Sequence, residues 1–292
     1  MMKKSGESRL ARKVQTLLGS SYSHAKREVE VGHVRVNGHV ETDVGRVVHD
    51  SDQIDHNISL PRVRRRPDLP DVTIVHLDDA LVVVEKPPGL LVHPTLDREK
   101  DTLLSRGADA VQRKTGRRSP LFIVHRIDRD TSGLLVLARD RAAVPALQRQ
   151  FRVHTITRRY LAIVAGDLAN EVVVDRAIGR PRPGARRAAL RSHGKEARTV
   201  VRPIERLRGA TMVEATLGTG RTHQVRVHFA WLGHPVLGDA LYGQPASDPA
   251  PTPRMALHAS ELAFTHPQTG ERLAFRSPLP PDLEEVLRSL RR

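Results

Sequence analysis

The sequence predicts an α+β protein on a mixed, largely antiparallel sheet, preceded by a small basic α/β module. Two observations carry this. After residue 70, strand-like runs alternate irregularly with short helical patterns and show no internal repeat. Ahead of them, LPRVRRRPDLP (Leu60–Pro70) packs three prolines and four arginines into one run, which reads as a linker. The expected organisation is residues 1–59 as the module, 60–70 as the linker and 71–292 as the larger domain.

In the first segment, SRLARKVQTLLG sets Leu10, Val14, Leu17 and Leu18 on one helical face, with Gly19 as the stop. Ser23 is the expected N-cap of a second short helix. HVRVNGHV then alternates Val34 and Val36 with polar residues, and Asn37-Gly38 supplies the two positive-φ positions of a type I′ hairpin. After the linker, VTIVHLDD and ALVVVEKPPG read as strands joined by an acidic turn at Asp78-Asp79. Asp101–Arg117 is helix-compatible, LFIVHRI and LLVLARD read as buried strands, and AAVPALQRQF as a helix. RRYLAIVAG, TMVEATLG and ELAFTH are further strands, and PASDPAPTP (Pro245–Pro253) is a surface loop.

The chain has 292 residues and a net charge of +15, a field that attracts polyanions, nucleic acid first among them. Arginine outnumbers lysine, which tempers that inference. Aromatic residues make up only 3%, too few for a surface built on stacked single-stranded bases. No apolar run approaches the roughly 18–20 residues of a membrane span, and MMKKSGESRLARKV does not read as a secretory signal. Cysteine is absent, which removes disulfides and thiolate zinc sites and fits a cytoplasmic location. A monomer is the default expectation.

The chemically loaded stretch is HRIDRDTSG (His125–Gly133), with two carboxylates among basic side chains. A carboxylate at a strand-to-strand turn is ordinarily a turn former or cap. The alternative is that one of them reacts, held rigid between two sheet elements.

Two resemblances bear on that choice. The helices and hairpin of the first segment, with GHVRVNG (Gly32–Gly38) and SDQI (Ser51–Ile54, serine where glycine is usual), resemble the S4 RNA-binding domain. The resemblance implies RNA contact through Arg12, Lys13, Lys26, Arg27 and Arg35. HRIDRDTSGLLVLA resembles the H-R-L-D-x-x-T-S-G-L-L motif of RluA-type pseudouridine synthases. Five further blocks of that family stand in order: EKPPGLLVHP, RRYLAIVAG, GKEART, LGTGRTHQVRVHFAWLGHPVLGDALYG and LHASELAFTHP.

This second resemblance implies a pseudouridine synthase fold that turns uridine into pseudouridine without a cofactor. It makes Asp128 the catalytic carboxylate, Arg221 the cation paired with it and Tyr160 the residue against the target base, its hydroxyl a candidate for taking the C5 proton. Arg126 is implied to enter the RNA helix where the uridine has left. The expected partner is RNA, ribosomal RNA of the large subunit first and transfer RNA second. His125 is expected to be a structural hydrogen-bonder, Asp130, Thr131 and Ser132 to close the turn, Lys86 to shape a loop, and Asp239 and Tyr242 to tie down GDALYG. His223 and His228 flank strand positions without carboxylates at ligand spacing, so no metal is expected. Gly218, Gly220 and Gly233 are too dispersed to cradle a nucleotide phosphate.

Two alternatives remain open from sequence: an RNA-binding protein on the same fold without turnover, and a glycosidase or nucleosidase using a second carboxylate about 5–10 Å from Asp128.

Overall fold

The computed structural model describes residues 7–41, 43–57, 69–93, 101–179, 189–190 and 194–291. The chain divides into two units, Met1–Asp68 and Leu69–Arg292. Most of the proline–arginine segment, Leu60 to Asp68, lies outside the described residues, as does Pro94 of EKPPGLLVHP.

The first unit contains β1 (Glu7–Arg9), α1 (Leu10–Leu18), α2 (Tyr22–Glu30), β2 (Val34–Val36), β3 (His39–Val40), β4 (Val47–His49) and β5 (Ile54–His56). Leu10, Val14, Ala25, Val29, Val34, Val36 and Val48 form its core. Gly19 ends α1 in the left-handed region at φ 57°, and Asn37 and Gly38 turn the hairpin at φ 51° and 80°. Two expectations change. Leu17 is exposed, because Leu10 and Val14 already fill the face of α1 against α2. The cap of α2 is Ser21, which accepts from the His24 amide at 3.2 Å, so the helix starts before Ser23. Glu28 is buried in this unit, and one of its oxygens bonds His33 Nδ1 and His56 Nε2, each at 2.8 Å. Burial raises the Glu28 carboxyl, but the two imidazoles outweigh it and hold the group below its ordinary value.

The second unit is built on one large sheet. Its elements are β6 (Thr73–Leu77), β7 (Leu81–Lys86), α3 (Leu103–Thr115), β8 (Phe122–Ile123), β9 (Ser132–Ala138), α4 (Ala143–Arg152) and β10 (Thr157–Ala165). There follow β11 (Val172–Asp175), β12 (Ile178–Gly179), β13 (Ala189–Leu190), β14 (Arg198–Leu207), β15 (Ala210–Leu217) and α5 (Gln224–Trp231). The chain closes with β16 (Leu257–Thr265), β17 (Arg272–Arg276) and α6 (Pro281–Arg291). The strand order is β11-β14-β15-β10-β16-β9-β7-β6, with β17 on β16 and β8 on β9. The pairings within it are antiparallel except β16 with β9, which run parallel through His258–Ser132 and Ala259–Gly133.

All seven residues of β9 are buried, as expected of a strand covered on both faces. Leu135 and Leu137 join the core that includes residues of α3, α5 and α6, whereas Leu134, Val136 and Ala138 face Ala143 and Leu147 of α4. The strand read at LFIVHRI is only the two-residue β8 and is half-buried; the chain leaves the sheet at Val124 to form the loop that follows. GRTHQVRVH is not a strand: from Gln224 it is the helix α5, in which Gln224 to Phe229 are all buried. Period-2 alternation of Val225, Val227 and Phe229 mimics a strand, and all-round burial hides the helical period. The helix α6 carries Leu283, Val286, Leu287 and Leu290 at helical spacing into the main core. No helix of the described residues is long and apolar enough to cross a membrane.

Gly133 marks where β9 meets β16. Its φ is +111°, and a Cβ there would lie 2.3 Å from the Ala259 carbonyl oxygen. Gly133→Ala is therefore expected to destabilise the second unit by about 2–4 kcal/mol, from strain and overpacking together. Urea unfolding monitored at Trp231 checks this; a loss under about 0.5 kcal/mol would contradict the close approach.

Candidate active site

HRIDRDTSG leaves β8 and enters β9, and each residue takes a separate environment. Ile127 is buried in the core, Asp128 is partly exposed, and Asp130 is exposed. The Thr131 amide donates to the Asp128 carbonyl at 3.3 Å, closing the turn. Lys86, 1% exposed at the end of β7, donates to the carbonyls of Pro87, Leu90 and Arg129 at 2.7–2.9 Å. It thereby ties the EKPPG loop to the peptide just after Asp128. Ser132 Oγ bonds His258 Nδ1 at 2.9 Å, and His258 Nε2 bonds Ser277 at 2.9 Å. Burial pulls the His258 pKa down to about 4, so the ring is neutral and its bonds fasten the loop exit to β16.

His125 stacks on Phe151 with ring centroids 4.3 Å apart, and its Nε2 accepts from the Val136 amide at 3.1 Å. Burial, then the neighbouring Arg158, lower its pKa to about 3. It is a neutral structural hydrogen-bonder.

The partner of Asp128 is Arg226, not Arg221. Arg226 Nη1 lies 3.2 Å from Asp128 Oδ2, while its Nε and Nη2 grip Asp239 at 2.7 and 2.8 Å. The Leu241 and Tyr242 amides donate to Asp239 Oδ1 at 2.9 and 3.0 Å, so Asp239 closes the GDALYG turn and anchors the arginine together. Burial raises the Asp239 carboxyl, but the arginine fork and the two amides hold it below the ordinary aspartate range. Arg221 instead donates from Nε to the Glu196 carbonyl at 2.8 Å. The reason is local geometry. His223 adopts a left-handed φ of 56° immediately before α5, turning the chain between Arg221 and Arg226. Sequence held one signal for Arg226: a lone charge in the apolar run VRVHFAW must find a partner if buried.

Gln224 braces the start of α5. Its oxygen accepts from Thr219 Oγ1 and the Arg221 amide, and its amide donates to the Arg198 carbonyl and Thr199 Oγ1, all within 2.8–3.1 Å. His223 bonds the Tyr242 hydroxyl at 3.0 Å, and His228 bonds Thr199 and the Arg176 carbonyl. The two histidines therefore have separate hydrogen-bond partners.

These groups surround a cleft of about 480 Å³, a size suited to a small-molecule-sized group. Asp128, Tyr160, Arg126, Arg158, Arg221, His223 and Arg226 line it, and Asp128 is the one carboxylate among its described lining residues. Tyr160 is 8% exposed, and burial pushes its phenol pKa up to about 12, with the Asp128 charge adding to the shift. It is a neutral phenol presenting a ring. Arg126 is exposed and donates to Thr222 Oγ1 at 3.4 Å. In the first unit Arg12, Lys26, Arg27 and Arg35 are exposed, whereas Lys13 is half-buried and ion-paired with Asp50.

A carboxylate on the loop between β8 and β9, paired with a buried guanidinium in an arginine-lined cleft, is an arrangement suited to chemistry on an anionic ligand. Comparison with known proteins narrows this. The family model described as RNA pseudouridylate synthase matches residues 80–231, and the S4 domain model matches residues 14–54. A Nitrosomonas europaea protein named ribosomal large subunit pseudouridine synthase D is 42% identical over 225 residues, which span 75% of this chain and 65% of that protein, just under two thirds. A Vibrio cholerae protein of the same name is 36% identical over 289 residues, covering 93% of this chain and 87% of the relative. The solved structure of human RNA pseudouridylate synthase domain containing 4 superposes with a TM-score of 0.62 at 27% identity, over 75% of this chain and 93% of that one. The chain belongs to the RNA pseudouridylate synthase family and carries an S4 domain at its N-terminus.

Asp239→Asn removes one of two carboxylates from a buried arginine and is expected to destabilise the second unit by roughly 3 kcal/mol. Because the folded carboxyl is depressed, its stabilisation is present above the ordinary aspartate range and disappears as pH falls through the folded value. Urea midpoints measured across acid pH should fall more steeply for the native chain than for the variant; parallel curves would contradict the assignment.

Proposed function

We propose that this protein is an RNA pseudouridine synthase with Asp128 as its catalytic carboxylate, and that its substrate is ribosomal RNA of the large subunit. The observation that carries the reading is Asp128 standing in the cleft on Arg226, with no second carboxylate among the described lining residues. A glycosidase would require that second acid. Asp130 is exposed outside the cleft lining, and Asp239 is 1% exposed and occupied by Arg226. A silent RNA-binding role finds no support in the site, where carboxylate, guanidinium and tyrosine stand together.

The isomerisation breaks the N1–C1′ bond of uridine, turns the uracil, and joins C5 to C1′; C5 loses a proton and N1 gains one. Asp128 acts at the sugar, as nucleophile or base. Arg226 places a permanent charge beside it and fixes its direction, and the surrounding walls limit water around the cleaved intermediate. Tyr160 contributes its ring face to the uracil rather than a basic oxygen, since a phenol with a pKa of about 12 is a poor proton acceptor. Arg126 stands exposed at the cleft, where it can stack in the helix once the uridine has left. The names borne by the Nitrosomonas and Vibrio relatives support the choice of RNA.

Asp128→Asn is expected to abolish pseudouridine formation while changing RNA affinity by less than about threefold, and Asp130→Asn to retain turnover. Mapping pseudouridines in total RNA from cells with and without the protein, complemented by each variant, checks both. Turnover by the Asp128 variant overturns the mechanism, and a change confined to transfer RNA overturns the substrate assignment. Replacing Arg12, Arg27 and Arg35 together by Gln should reduce the slope of log affinity against log salt by roughly 0.7–0.9 per lost phosphate contact. An unaltered slope would remove these cations from the RNA interface.

A further inference from the structure

Two arginines are buried among the described residues of the second unit, Arg158 and Arg226, and their situations are opposite. Arg226 has two carboxylates. Arg158 has no carboxylate within 4 Å among the described residues. Its Nη2 donates to the Thr219 carbonyl at 3.0 Å, its guanidinium carbon lies 5.6 Å from the centre of the Phe151 ring, and its buried Nε has no partner. Yet the side chain is 8% exposed.

The backbone makes room for this arrangement. Arg158 and Tyr160 are alternate residues of β10, so they share a face, and both line the cleft that holds Asp128. Opposite, Gly220 has no side chain; a Cβ there would stand 2.6 Å from Arg158 Nη1. Arg152, His154 and Arg221 line the same cleft, and Asp128 is already engaged by Arg226. A buried guanidinium without an anion is costly unless the anion arrives with the ligand. A uracil carbonyl would satisfy a donor but leave the charge; a phosphodiester satisfies both and matches the planar fork.

We propose that Arg158, in the slot left open by Gly220, binds a phosphodiester flanking the target uridine and so seats the flipped nucleotide beside Tyr160 and Asp128. The inference rests on the reading that uridine in RNA is the substrate. It makes Arg158 a substrate-binding residue that recognises the backbone, whatever the base sequence around it.

The test uses the full chain and a synthetic RNA carrying the mapped uridine, in which either the 5′ or the 3′ phosphodiester is replaced by an uncharged methylphosphonate. Binding and single-turnover conversion are measured for the native protein, Arg158→Gln and Gly220→Ala. For the native protein, one of the two replacements should weaken binding roughly 10- to 100-fold, the range of a charged hydrogen-bonded contact. Arg158→Gln should weaken binding of unmodified RNA by a similar factor and lose less than about threefold more on that replacement, because the contact is already gone. Gly220→Ala keeps the charge but displaces the guanidinium, and should reproduce the loss; it decides the matter if Arg158→Gln does not fold. Native protein indifferent to both replacements, or variants as sensitive as the native chain, would overturn the proposal. Failure of the native protein to convert the unmodified RNA would instead overturn the reading of the substrate, and this inference with it.

Discussion

Arg226 stands between two carboxylates, one buried and structural, the other open to the cleft, and much of the second unit is arranged around that geometry. Its Nε and Nη2 are committed to Asp239, whose Oδ1 also accepts from the amides of Leu241 and Tyr242. What is left, Nη1, reaches Asp128. A guanidinium held by a bidentate partner cannot swing, so the direction from which it meets Asp128 is set by the GDALYG turn and by α5. Taking such a charge out of water is costly, and the bidentate contact with Asp239 and the contact with Asp128 together offset the cost.

The sheet delivers Asp128 to that point. The chain leaves the short β8, runs through the loop and re-enters at β9, the most deeply buried strand of the sheet. Three ties keep the loop from drifting: the Lys86 ammonium on the Arg129 carbonyl, the Ser132–His258–Ser277 chain, and the close contact of Gly133 with Ala259. The first links the loop to β7 and the other two link it to β16, so the carboxylate is positioned by rigid elements on both sides.

Much of this was legible one residue at a time. LVVVEK, SGLLVLA and TRRYLAIVA announce their strands through short apolar runs, Gly19 and Asn37-Gly38 their turns, and HRIDRDTSG its importance through the blocks around it. The misreading nearest the site lies in α5. In QVRVHFAW every residue through Phe229 is buried, so the alternating valines looked like a strand and the helix went unread. The resemblance points to Arg221 as the partner of Asp128, whereas the buried helix brings Arg226 to it instead.

What the sequence determined by itself was the inventory: two units, the order of most strands, the charged HRIDRDTSG segment between two of them and the family to which the chain belongs. Those are properties of local pattern and of residue type. What only the tertiary structure decided was pairing. Asp128 and Arg226 are 98 residues apart, and which of two arginines reaches the carboxylate depends on a left-handed turn at His223 and a buried anchor at Asp239. Local periodicity does not encode such a choice, because charges separated by a hundred residues meet only after the sheet has closed around them.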